Sequence, residues 1–239
     1  GRVVSGLQRQ GTGVVRIREP GGPGAPMRAL TPGALDEAFA AGIRIVHQEL
    51  AQCPNLTVAE NLCLHSIPRN RLGLVDRHAM HERAARLLES LEPGIDVEAP
   101  LGLLPPGRRQ IVQIASSLDD SGEEGAACTD TSSCARVIVL DEPTSSLSVS
   151  EVERLMQIVR QLAARGLTLL YVSHRMAEIF EVCGRVTVLR DGKFVATSVV
   201  SEIDEPTLIE QMIGRRIEQT EKRKAPEADT KRPALRVRQ

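Results

Sequence analysis

The sequence has no tryptophan, one tyrosine and three phenylalanines in 239 residues. Surfaces for single-stranded nucleic acid stack bases on aromatic rings and gather lysine and arginine into patches. With aromatics this scarce and a formal net charge of -1, that class of partner is not expected. No apolar run approaches the length of a bilayer-spanning helix, and no signal-peptide pattern opens the chain, so a membrane role would be peripheral. Lysine is also scarce. It occurs at Lys193, Lys222, Lys224 and Lys231, so the first 192 residues hold no phosphate-binding lysine. The five cysteines (Cys53, Cys63, Cys128, Cys134, Cys183) are odd in number and lack metal-ligand spacing. Reduced thiols are expected, with a bridge or metal site between Cys128 and Cys134 left open. The first residue is Gly1 instead of methionine, which points to a natural start further upstream. What remains is ordinary: 41% hydrophobic residues and a length that suits one sizeable core, with room for a subdomain.

Along the chain, residues 1–7 read as a helix end and GVVRIR (13–18) as a strand. The glycine- and proline-rich stretch 19–33 reads as a loop. A short helix over 34–41 precedes a strand at IRIVH (43–47), with Gln48 directly at its end. TVAENLCL (57–64) reads as a short helix capped by Thr57 or Asn55. Met80, Ala84, Leu87, Leu88 and Leu91 fall on one face of a helix over 76–91. His78 and His81 near its start have no third ligand close by in sequence and read as a solvated pair. Two prolines and Gly107 open a helix within 103–118. The stretch 119–135, DDSGEEGAACTDTSSCA, is acidic, small and polar, and reads as a surface insertion. Val152, Leu155, Met156, Val159 and Leu162 mark another amphipathic helix. LTLLYVS (167–173) reads as a buried strand ending at His174. Alternation on either side of Asp191-Gly192 gives a β-hairpin, and a short helix over 205–213 comes after it. Residues 215–233 are charged and suit a linker, and ALRVR (234–238) reads as the first strand of a further domain.

The richest stretch is VIVLDEPTSSLS (137–148). Four apolar, mostly β-branched residues run into Asp141 and Glu142, then a proline and a hydroxyl-rich turn. A continuous apolar run bounded by a turn reads as a strand of a parallel sheet, covered on both faces. Open α/β sheets place ligands at the carboxyl ends of such strands. Two adjacent acids there are costly to desolvate, unless one holds a metal and the other serves proton transfer. Gln48 and His174 end predicted strands as well, so a parallel sheet would bring all four residues to one edge. That set suits metal-assisted hydrolysis of a phosphoanhydride. Asp141 would hold Mg²⁺, and Gln48 would reach the metal or the attacking water. Glu142 would polarise that water, and His174 would touch the transferred phosphoryl group.

In their order these motifs resemble the nucleotide-binding domain of ABC transporters, and more narrowly the first ATPase domain of fused bacterial carbohydrate importers. GIRIVHQELAQCPNLTVAENL (42–62) is similar to the family's Q-loop region. VIVLDEPTSSLS is similar to its Walker B strand, catalytic glutamate and D-loop. YVSHRMAEIF (171–180) is similar to its H-loop, and VLRDGKFVAT with MIGR (212–215) to its closing hairpin and last helix. The resemblance implies an α/β, P-loop NTPase-like fold over residues 1–214, with a parallel sheet core and a helical subdomain at about 57–118. A linker and first strand would occupy 215–239. It implies ATP and Mg²⁺ as cofactors, with Glu142, His174 and Gln48 catalytic and Asp141 and Gln48 at the metal. Gly107, Arg108 and Ser146 would contact nucleotide. The implied partners are transmembrane permease subunits, a second ABC ATPase domain, fused or dimeric, and indirectly an exported sugar-binding protein, at the inner face of the plasma membrane.

Two departures stand beside the resemblance. The family's phosphate-wrapping loop, GxxxxGK[ST], occurs nowhere in the 239 residues. GRVVSGLQRQGTGVVRI resembles the family's segment downstream of that loop, so an N-terminally truncated domain is expected. The signature LS-x-GQ is replaced by Leu104-Pro105-Pro106-Gly107-Arg108, in which Pro105 stands for the serine and two prolines remove two N–H donors. Each charge-assisted hydrogen bond lost there is worth about 1.5–3 kcal/mol. A non-catalytic module of the same fold, serving as a dimer partner without turnover, is therefore the competing expectation. A soluble relative acting on DNA or ribosomes fits less well, because the short stretch between Gln48 and Gly107 leaves no room for a long coiled-coil arm.

Overall fold

The computed structural model describes residues 13–19, 24–46, 52–119 and 135–214. Two compact units make up the chain, Gly1–Cys183 and Gly184–Gln239. The first is built on a three-stranded parallel sheet of β3 (Ile43–Val46), β4 (Val137–Asp141) and β5 (Thr168–Val172), with β4 in the centre. Before it come β1 (Arg16–Arg18), β2 (Met27–Ala29) and α1 (Leu35–Ala40). Strand β2 lies inside the stretch expected to be loop. Its side chains are exposed, so no apolar alternation marks it in the sequence. Its existence depends on antiparallel pairing with β1, extended by Leu30 N–H donating to Val15 O at 2.9 Å.

Register decides what each face of the sheet meets. Val46, Ile138 and Leu140, with Leu169 and Tyr171 of β5, point into the main apolar core. Helices α2 (Val58–Leu62), α3 (Arg77–Glu89), α4 (Pro106–Ser117) and α5 (Val149–Ala164) fill that core with Leu62, Leu88, Ile114, Leu155, Met156 and Leu162. On the other face Ile43 packs with Leu30 and Ala38 in a small second cluster. β5 is correctly expected as a strand, but it is not buried on both faces. An edge strand among the described residues, it exposes Leu170 at 41% and Val172 at 37%.

The helix starts obey local chemistry. Thr57 makes a capping box with Glu60 at α2, which resolves the choice between Thr57 and Asn55. The Asp76 carboxylate caps α3 by accepting from Ala79 N–H at 3.0 Å. His78 and His81 sit beside Glu82 and Glu98, and no group of three potential metal ligands occurs among the described residues. Asn61 is buried and fastens the loop before its own helix, accepting from Cys53 N–H and donating to the Cys53, Leu56 and Thr57 carbonyls. Cys53, Cys63 and Cys183 are free thiols, and the 120–134 stretch with Cys128 and Cys134 lies outside the described residues. No described helix is long and apolar enough to cross a membrane.

The second unit holds the hairpin of β6 (Arg185–Arg190) and β7 (Lys193–Val199), then α7 (Glu205–Ile213). Asp191 and Gly192 both have positive φ, the turn that the dipeptide announces in the sequence.

Candidate functional site

Parallel pairing sets Asp141, the last residue of β4, beside Val172 at the end of β5. The next residue, Glu142, continues the ladder by donating its N–H to Val172 O at 2.9 Å. It does so with φ at 46°, a left-handed backbone that glutamate seldom adopts. A bulky residue is held in that region only where its surroundings over-determine it, and such residues gather at functional sites. Past β5 the chain turns through Ser173 to His174, whose Nδ1 lies 3.1 Å from Glu142 Oε1. A carboxylate can only accept, so the shared proton sits on Nδ1 and Nε2 is left without a described partner. The His174 side chain is 69% exposed and that of Glu142 34%, so the pair is open to an incoming group.

Asp141 is half-buried, and no hydrogen bond or ion pair to its carboxylate occurs among the described residues. A lone hard oxygen ligand at a strand end fits a magnesium ion that keeps most of its water and takes the rest of its shell from phosphate. Gln48, expected to join it, lies outside the described residues. Ser146 is exposed in the turn after Glu142. The structure thus brings Asp141, Glu142 and His174 together.

Gly107 and Arg108 line a different cavity of about 210 Å³, with Pro105, Ile111, Ser150, Glu151, Glu92 and Arg154 around them. Pro105 is the N-cap of α4 and Pro106 its first residue, so the first free amide of the helix is that of Gly107. That N–H donates to Glu151 Oε1 at 2.8 Å. Glu151 also closes the capping box of α5, accepting from Ser148 N–H at 2.8 Å and from its hydroxyl at 2.6 Å. These bonds, the Ser148 hydroxyl first, hold its carboxyl below the usual range. The approach needs glycine: a Cβ at position 107 would stand 2.6 Å from Glu151 Cγ. Glu151 is not among the residues expected at the site, although Ser148-x-x-Glu151 is a visible capping box. Its second partner is 44 residues away and has no signal in the sequence.

The fold is that of the ATP-binding-cassette ATPases. The architecture is shared with the dimeric, post-hydrolysis ATP-binding cassette MJ0796 bound to ADP and Pi, at a TM-score of 0.60 and 22% identity, covering 83% of this chain and 78% of that one. No protein-family profile matches the chain. Among curated proteins, the arabinose import ATP-binding protein AraG of Pseudomonas syringae pv. tomato is 46% identical over 183 residues, covering 76% of this chain and 33% of that protein. The ribose import ATP-binding protein RbsA 2 of Rhizobium meliloti is 38% identical over 237 residues, 99% of this chain and 42% of that protein. Over most of its length the chain is similar to sugar import ATP-binding proteins of the ATP-binding-cassette class. It spans between a third and about two-fifths of the length of these relatives, 33% of one and 42% of the other.

Proposed function

We propose that this chain is a segment of the ATP-binding and ATP-hydrolysing subunit of a bacterial sugar importer, which couples hydrolysis to carbohydrate uptake, and that its own activity is impaired without a phosphate loop. The observation that carries it is the strand-end pair, with Glu142 in a strained backbone and His174 on its carboxylate. In this reading Glu142 polarises the attacking water and His174 Nε2 faces the phosphoryl group. Asp141, with Gln48, holds Mg²⁺, which would supply charge neutralisation on the phosphates. Gly107, Arg108 and Ser146 face nucleotide across an interface with a second ATPase domain. Permease subunits would hold the assembly at the inner face of the membrane, with a sugar-binding protein acting through them. Residues 1–214 belong to the ATPase domain, with the helical subdomain at about 57–118; the expected insertion and the linker segment at 215–239 fall largely outside the described residues.

A second reading, a dimer partner without turnover, is favoured for the 239 residues taken alone. They contain no GxxxxGK[ST], and the amide of Gly107 is already engaged by Glu151. Calorimetry with Mg-ATP on this chain separates the cases. The expected result is neither tight binding nor turnover; a micromolar Kd overturns the expectation on binding, and turnover sinks the second reading. Joining an upstream segment with a phosphate loop is expected to restore hydrolysis, which Glu142→Gln then abolishes. Turnover that survives Glu142→Gln removes the role given to Glu142. Co-purification with a permease tests the importer assignment.

A further inference from the structure

Glu178, on α6 (Met176–Val182), is 3% exposed. A carboxylate taken out of water is costly unless donors replace its hydration. Here four do. Thr144 Oγ1 donates to Oε1 at 2.7 Å, and Arg175 Nη1 pairs with the same oxygen at 2.8 Å. Tyr171 OH donates to Oε2 at 2.8 Å and Ser173 Oγ at 3.0 Å. Ser173 Oγ in turn accepts from Arg175 N–H at 3.0 Å.

These donors come from the two segments that carry the site. Thr144 is two residues past Glu142, in the turn where Pro143 and Thr144 are buried. Ser173 and Arg175 flank His174. The His174 ring is mostly exposed, so its own packing does not fix its place. Glu142 cannot hold its left-handed backbone without a fixed turn behind it. Both requirements meet at one buried carboxylate.

We propose that Glu178 is the positioning residue of this site: by gripping Thr144 on one strand exit and Ser173 and Arg175 on the other, it sets the contact between Glu142 and His174. The inference rests on reading that pair as the hydrolytic one, but it is testable without turnover. In the 239-residue chain with histidine labelled at Cε1, the His174 NMR resonance should respond to Glu142→Gln. In Glu178→Gln it is expected to shift or split, and its response to Glu142→Gln should be lost. The resonances of His65, His78 and His81 should stay in place. A purely stabilising Glu178 would lower the unfolding midpoint and leave the His174 resonance and its response intact, and that result overturns the proposal. If Glu178→Gln does not fold, Thr144→Val and Ser173→Ala each remove one arm. One or both should move His174 and weaken its response, and no change in either also overturns it. Loss of the ATPase reading would show instead as absent turnover in the extended protein with the His174 response still present.

Discussion

At the residue scale, Gly107 and Glu151 show how one side chain can serve two helices. Glu151 caps its own helix through Ser148 and at the same time takes the first free amide of α4. Gly107→Ala drives a methyl into that carboxylate, whose Cγ and Oε1 are 2.6 Å from the ideal Cβ position. The expected loss is about 1–2 kcal/mol, the size of a cap or a charge-assisted hydrogen bond, read by urea unfolding. In Glu151→Ala the obstacle is gone, so the double variant should lose less than the sum of the two singles. Strict additivity would mean that the two residues are independent. Under the proposed function the same contact matters for the ligand, since an internal carboxylate already holds a donor expected to face phosphate.

At the element scale, β5 is the revealing case. It pairs with β4 alone among the described residues, and one of its faces carries Leu170 and Val172 partly open to water. An edge strand with apolar side chains on view is a template for association with another chain. Leu170→Lys places a charge on that edge while leaving Leu169 and Tyr171 in the core. It is expected to change stability by no more than about 0.5 kcal/mol, as surface substitutions usually do, and to lower self-association in sedimentation experiments. Unchanged association would show that this edge is not where chains meet.

At the scale of the whole molecule, stability should form a plateau in pH. Hydrogen bonds from Thr31, Ser148 and Thr207 hold the carboxyls of Glu37, Glu151 and Asp204 below their ordinary values. Their contribution is present above the unfolded carboxyl range, near about pH 4, and is lost as pH falls through the lower folded values. On the other side, burial raises the thiols of Cys63 and Cys183 and the phenol of Tyr171, which its acceptor Glu178 raises further. That contribution is complete below the unfolded values, about pH 8.5 for thiols and about 10 for the phenol, and is lost as pH rises past them. Urea midpoints are expected to be flat from about pH 5 to 8 and to fall on either side. With a single tyrosine and no tryptophan, tyrosinate absorbance reports Tyr171 alone and should rise together with alkaline unfolding. Ionisation in a chain still folded would contradict its buried bond to Glu178.

The amino-acid sequence by itself determined most of the elements in order, β2 and α6 excepted, because apolar periodicity and cap chemistry are local. The helix opening at Asp76 and the Asp191-Gly192 hairpin turn could be read in place, while Thr57 and Asn55 stayed as two candidate caps until the structure showed Thr57 with Glu60. It also pointed to Gln48, Asp141, Glu142 and His174 as a set, since each comes at the end of an apolar run that reads as a strand. Other features have no local signal. Strand β2 depends on a neighbour for its pairing, and the exposure of β5 depends on its place at the sheet edge. Glu178 looks like one more helix glutamate until the fold brings Thr144, Tyr171, Ser173 and Arg175 onto it. Parallel pairing closes those distances, and it joins residues that the chain keeps far apart. The left-handed turn at Glu142 and its contact with His174 were decided there, by the tertiary structure alone.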